Sequence, residues 1–194
     1  MRAVVATSLL VASRAHADTP AEAKAIMKDH YDDEKLAGNV LLGLGIAGVA
    51  AGSFLVKDPC EVRQGMSYPL IAIGLMHVGA GVYLHMAADQ RIHNNSVEIE
   101  RDGQAWVVRE RAHMDGVQTR LTALTFVEIG LVAGGAGLAY YGYRKGYGRV
   151  EGAGIGLAIE AAVSLGLDLW ASRRADGYRD RLDGIELMSP RFAF

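Results

Sequence analysis

The sequence predicts an all-α membrane protein: four transmembrane helices arranged as two duplicated helical hairpins, following an N-terminal signal peptide. Three observations carry this. Four apolar runs, at 38–56, 66–88, 121–143 and 152–171, each approach the roughly twenty residues a helix needs to cross a bilayer. They come in two closely spaced pairs, each joined by a short polar loop. The 24 glycines concentrate inside the runs rather than between them, which is the pattern of close helix packing in lipid and not of flexible linkers. Within a bilayer, backbone N–H and C=O groups find no water, so segments of this kind must be helical.

The chain opens with Arg2, an apolar stretch at 3–12 and Ala15-His16-Ala17 before Asp18. A basic start, a short apolar core and an A-x-A site form a secretory signal peptide, expected to be removed after Ala17. The segment 18–37 then reads as a polar N-terminal helix leading into the first hairpin, 38–88. A polar connector, 89–120, separates it from the second hairpin, 121–172, and a basic tail, 173–194, closes the chain. In the connector, Asp102-Gly103 lies between Val97-Glu98-Ile99-Glu100 and Trp106-Val107-Val108, a pattern open to a small β-hairpin. The proline-free, charge-rich stretch that follows favours helix.

The two hairpins read as copies. A gapless shift of 87 residues places Gly43 on Gly130, Gly48 on Gly135, Gly65 on Gly152, Leu70 on Leu157, Gly79 on Gly166 and Asp89 on Asp176. Two helices per copy give both copies one orientation, related by an axis along the membrane normal. Small residues four apart, Gly48 and Gly52, Gly130 and Gly134, Gly152 and Gly156, are expected to let helix backbones approach closely.

The signal peptide and the count of positive charges disagree on orientation. A removed signal peptide puts the mature N-terminus in the periplasm and both short loops, with Lys57, Arg63, Arg144, Lys145 and Arg149, in the cytoplasm. The opposite side carries more lysine and arginine in total, which by raw count points the other way. The short loops are the denser in positive charge and long segments translocate regardless of charge, so the expected location is the bacterial inner membrane with short loops inside.

Five ionisable residues fall within the runs: His77, His85, Glu128, Glu160 and Asp168. Charge at bilayer depth costs about 2.5–3.5 kcal/mol, so such groups face other helices or reach interfacial water. Glu160, Ser164 and Asp168 step by four along one face of the fourth run, and the 87-residue register puts His77 on the equivalent face of the second. His77, Glu128, Glu160, Ser164 and Asp168 are therefore the candidate intramembrane polar cluster. Near the ends of their runs, Asp168 and His85 are expected rather to reach interfacial water.

Imidazole and carboxylates suit zinc, iron or manganese, but no E-x-x-H or H-E-x-x-H pair specifies a metal. No G-x-S-x-G, phosphate-binding loop or Cys-x-x-Cys is present, so neither catalytic nor cofactor-binding residues are expected. A net charge of −2 without a basic, aromatic stripe gives no reason to expect nucleic acid. The single cysteine, Cys60, forms no internal disulfide. The expected partners are the lipid bilayer and, beyond it, other membrane proteins or a second copy of the chain. The expected role is a structural or accessory subunit of a bacterial envelope assembly; the alternative is a small oligomeric carrier or proton/metal-ion pathway.

Overall fold

The computed structural model describes residues 19–185, which are helical almost throughout and contain no β-strand. The expected signal peptide, 1–17, lies outside the described residues, as does the end of the tail. Three helices follow one another: α1 (Pro20–Leu55), α2 (Glu61–Lys145) and α3 (Gly148–Asp183). Each is long and apolar enough to cross a membrane.

Three helices replace the four expected, because the second and third apolar runs belong to one element. Its single non-helical residue is Asp102, at φ −159° and ψ 84°. There the chain doubles back: Arg109 donates to Glu98 at 2.8 Å, whereas eleven residues of unbroken helix would separate them by about 16 Å. The Asp102 carboxylate accepts the Ala105 N–H at 3.0 Å and so caps the returning arm. Both sides of the connector are helix. The Asp-Gly pair makes a reversal between two helical arms, 61–101 and 103–145, and not a β-turn.

The other boundaries have equally local causes. Thr19 and Glu22 form a reciprocal capping box, with Pro20 in the first turn of α1. Asp58 accepts the Cys60 N–H at 2.8 Å and shapes the first short loop. At the second loop Gly146 takes φ 70°, a left-handed conformation that ends α2 with Tyr147 N–H donating to the Gly142 carbonyl at 2.9 Å.

The arms form a bundle in which chain neighbours run antiparallel. Along α1 and the first arm of α2, Gly38 lies against Gly81, Gly45 against Gly74 and Gly52 against Ser67. Along the second arm and α3, Gly135 lies against Gly154 and Ala158, and Gly142 against Glu151. The first arm and α3 run parallel, with Gly65 on Arg149, Gly152 on Val62 and Gly156 on Pro69. At most of these sites an added Cβ would strike backbone, so the glycines set the interhelix distance and gain dispersion contact over whole backbones. Gly48, Gly52, Gly152 and Gly156 are among them. Gly130 and Gly134 are not: a Cβ on either meets nothing within 4 Å. On that arm Gly135 and Gly142 make the contacts instead.

The bundle has two halves of opposite construction. In the half formed by the apolar runs, the interior is mostly glycine while Ile46, Phe54, Leu75, Met76 and Phe126 point outward. In the polar half, formed by the segments beyond the runs, Met27, Tyr31, Ile99, Trp106, Tyr178 and Leu182 are at most 2% exposed and make one apolar core. Ion pairs cover its surface, including Arg109–Glu98, Arg179–Asp115 and Arg181–Asp29. Both short loops lie at the opposite end, where Glu61 packs on Gly148.

Candidate functional site

The polar residues of the apolar half resolve into separate contacts at successive levels of α3. His77 Nε2 and Ser164 Oγ are 3.0 Å apart, linking the first arm of α2 to α3. One turn further on, Asp168 lies beside Glu128 of the second arm, whose Oε2 is buried without a hydrogen-bond partner among the described residues. One turn back, Glu160 faces α1, its Oε1 3.4 Å from where a Cβ on Gly48 would lie. His77, Glu128 and Glu160 are buried, and His85 is exposed. The four-residue steps on α3 thus place Glu160, Ser164 and Asp168 on one interior face, but each turns to a different arm. Among the described residues no group of three His, Cys, Asp or Glu side chains is disposed to hold a metal ion.

The larger feature lies where the apolar runs end. A cavity of about 220 Å³ opens between all four arms. Each arm lines it with a helical stripe that changes from apolar to polar at the run's end. In α1 the stripe is Leu41, Ala37, Glu34 and His30, stepping by four, three and four. In the second arm of α2 it is Leu121, Val117 and His113; in the first arm, Leu84 and Arg91; in α3, Leu167, Ala171 and Arg174.

The charged groups of the polar rim are matched. Arg91 Nη1 donates to both carboxylate oxygens of Glu34, at 3.1 and 3.3 Å. Arg174 pairs with Asp33 and lies over the Trp170 ring at 4.4 Å. Burial pushes the Glu34 carboxyl above its ordinary range, and Arg91 only partly offsets this. His30 stacks flat on Tyr178, with centroids 3.8 Å apart and planes 3° from parallel. Burial, reinforced by Arg181, Arg174, Arg91 and His113, lowers the His30 imidazole to about 4, so it is neutral at physiological pH.

Beneath the rim, Tyr31 and Tyr178 both donate to Glu110 Oε1, at 2.7 and 3.2 Å. Burial, with Glu110 beside them, raises both phenols well above the ordinary tyrosine range. This buried triad ties α1, the second arm and α3 together directly below His30.

The rim residues His30, Glu34, Arg91, His113 and Arg174 all lie outside the apolar runs and are not among the ionisable residues that the runs contain. The signal was nonetheless present. Extending each apolar stripe at helical spacing beyond its run meets a polar residue in every arm. No protein family, no curated protein and no solved structure matches this chain.

Proposed function

We propose that this chain is a non-enzymatic integral protein of the bacterial inner membrane, a structural or accessory subunit of an envelope assembly. The observation that supports it most is how the apolar half uses its polar groups. His77 with Ser164 joins the first arm of α2 to α3, and Asp168 lies against Glu128 of the second arm, on arms that glycines bring together nearer the short loops. Groups spent on holding arms together rigidify a bundle, and the large polar half offers a stable, charged surface to a partner.

We infer as well that the hairpins descend from one duplicated unit. Gly65 lies on Arg149 and Gly152 on Val62, and these two contacts exchange under the same 87-residue shift that aligns the sequence. His77 and Ser164, also 87 apart, face each other. Both patterns fit a two-fold axis running between the first arm of α2 and α3, parallel to them.

The alternative, a small oligomeric carrier or proton/metal-ion pathway, draws its support from Glu160, Ser164 and Asp168 on successive turns of α3. Two measurements separate the readings. The tagged full-length chain, cross-linked in cells and purified from native membranes, should retain an envelope protein in fixed proportion. Reconstituted in liposomes, it should pass protons, zinc and manganese no faster than empty vesicles do. Purification of the chain alone contradicts the accessory role, and a flux abolished by Glu160→Gln establishes the carrier.

For orientation, both short loops are proposed to be cytoplasmic. Hydrogen bonds from the Arg63 backbone and side chain, then from the Val62 backbone, lower the Cys60 thiol below its ordinary value, which favours the reactive thiolate. An impermeant maleimide should leave Cys60 unlabelled in intact cells and label it after permeabilisation. Labelling in intact cells reverses the orientation.

A further inference from the structure

We propose that the cavity at the boundary between the two halves binds the head of an uncharged, membrane-soluble molecule bearing an acceptor carbonyl, with its apolar body directed along the leucine-lined end. The wall supplies the first reason. Leu41, Leu84, Leu121 and Leu167, with Asp168 beside the last, line one end, and His30, Glu34, Arg91 and Arg174 the other. That gradient, laid across the end of the apolar runs, fits an amphiphile lying with its polar group outward. About 220 Å³ accommodates a head the size of a ring or a short ester, not a two-chain lipid in full.

The charges supply the second reason. Glu34 is engaged by Arg91 and Asp33 by Arg174. At the rim an anionic ligand would have to displace a carboxylate from its arginine, and a cationic one an arginine from Glu34 or Asp33. A neutral ligand breaks neither pair.

The unmatched donors supply the third. A neutral imidazole carries one N–H, and His30, which lines the cavity, makes no hydrogen bond among the described residues. Arg174 has its Nη1 buried without an acceptor. A carbonyl oxygen entering beside His30 gives the imidazole its acceptor, and Arg174 lines the same cavity. The rings of His30, stacked on Tyr178 on one side, and of Trp170 also line the cavity.

Such a carbonyl occurs on a quinone ring and in the ester of a neutral glyceride, and the probes distinguish them. The full-length chain in detergent micelles is titrated with decylubiquinone, dioctanoylglycerol, decanoate and decyltrimethylammonium, and one-to-one adducts are counted by native mass spectrometry. A saturable single adduct with one or both neutral carbonyl probes is expected, and the tighter of the two identifies the source. His30→Phe keeps the stack on Tyr178 but removes the donor, and should weaken that adduct at least tenfold at unchanged helicity. Leu121→Trp, which fills the apolar end, should abolish it; if that variant fails to fold, His30→Phe decides alone. Absence of any saturable adduct, equal binding by wild type and His30→Phe, or tighter binding of either charged probe overturns the proposal.

Discussion

The two halves of this bundle solve one packing problem with opposite materials. The polar half buries Trp106, Tyr31, Tyr178 and Met27 and surrounds them with charge, as a water-soluble bundle does. The apolar half buries Gly45, Gly74, Gly81, Gly135 and Gly154, and leaves Phe126 72% and Met76 71% exposed. In water, removing large side chains from solvent drives association, at about 1.5–3 kcal/mol each. In lipid that drive vanishes, and the remaining attraction comes from backbones brought close enough for dispersion and hydrogen bonds. The same four arms change their interior composition part-way along, from glycine in the apolar half to large apolar side chains in the polar half.

The largest test of this contrast removes a core side chain. Trp106→Ala should cost about 3–5 kcal/mol of stability, read as a large fall in melting temperature in detergent, because the indole is fully enclosed. Phe126→Ala, also a large aromatic deletion but on the outer surface of the other half, should shift the melting temperature little. Equal losses for the two would erase the distinction between the halves.

Next in size is the reverse substitution in the apolar half. Gly152→Val places its Cβ on the Val62 carbonyl, which is backbone and cannot yield, so the variant should lose about 1–3 kcal/mol or more and fall in membrane abundance. Gly134→Leu, at an exposed position whose Cβ would meet nothing within 4 Å, should be nearly neutral. A sharp loss for Gly134→Leu with none for Gly152→Val would exchange the inner and outer faces of these helices.

The smallest effect concerns pH and belongs to the polar half alone. His30 is held near 4 in the folded protein, against 6.5 for the free side chain. Between these values the unfolded chain binds more protons, so this group's contribution is complete above about 6.5 and erodes as pH falls toward 4. From pH 7 to 5 the erosion amounts to about 2 kcal/mol. Glu34, raised by burial, runs in the opposite sense, gaining stability as it takes up its proton. Arg91, Arg174, Arg181, His113 and Asp33 surround the pair. In His30→Phe the loss of melting temperature between pH 7 and 5 should be smaller than in wild type; an equal loss would place the acid sensitivity elsewhere.

Much of this architecture was legible in the sequence, for identifiable reasons. Apolar runs near twenty residues have few alternatives to helix, and their positions coincide with the apolar half. The two middle runs proved to share one helix because Asp102-Gly103 marks a reversal without specifying what flanks it. The same dipeptide serves a β-turn or, as here, a capped return between helical arms.

The glycine pattern shows the other limit. A four-residue step states that Gly130 and Gly134 share a face, but not that the face turns inward. The neighbouring Gly135 and Gly142, seven apart, lie on the stripe that meets α3. The rim of the cavity escaped notice because His30, Glu34, Arg91, His113 and Arg174 are ordinary polar residues in polar segments. Only the bundle brings them together.

The central claim is that the large apolar side chains on the outer surface face lipid while the other half stands in water. It is tested most directly by spin labels at two exposed apolar positions, in a chain carrying Cys60→Ser. Phe126→Cys lies on the surface of the apolar half and Val108→Cys, at a residue 65% exposed, on that of the polar half. In reconstituted bilayers, relaxation of the Phe126→Cys label should respond to oxygen and hardly to a water-soluble nickel chelate, with the reverse at Val108→Cys. Strong relaxation by the nickel chelate at both positions would contradict the account, because both surfaces would then face water.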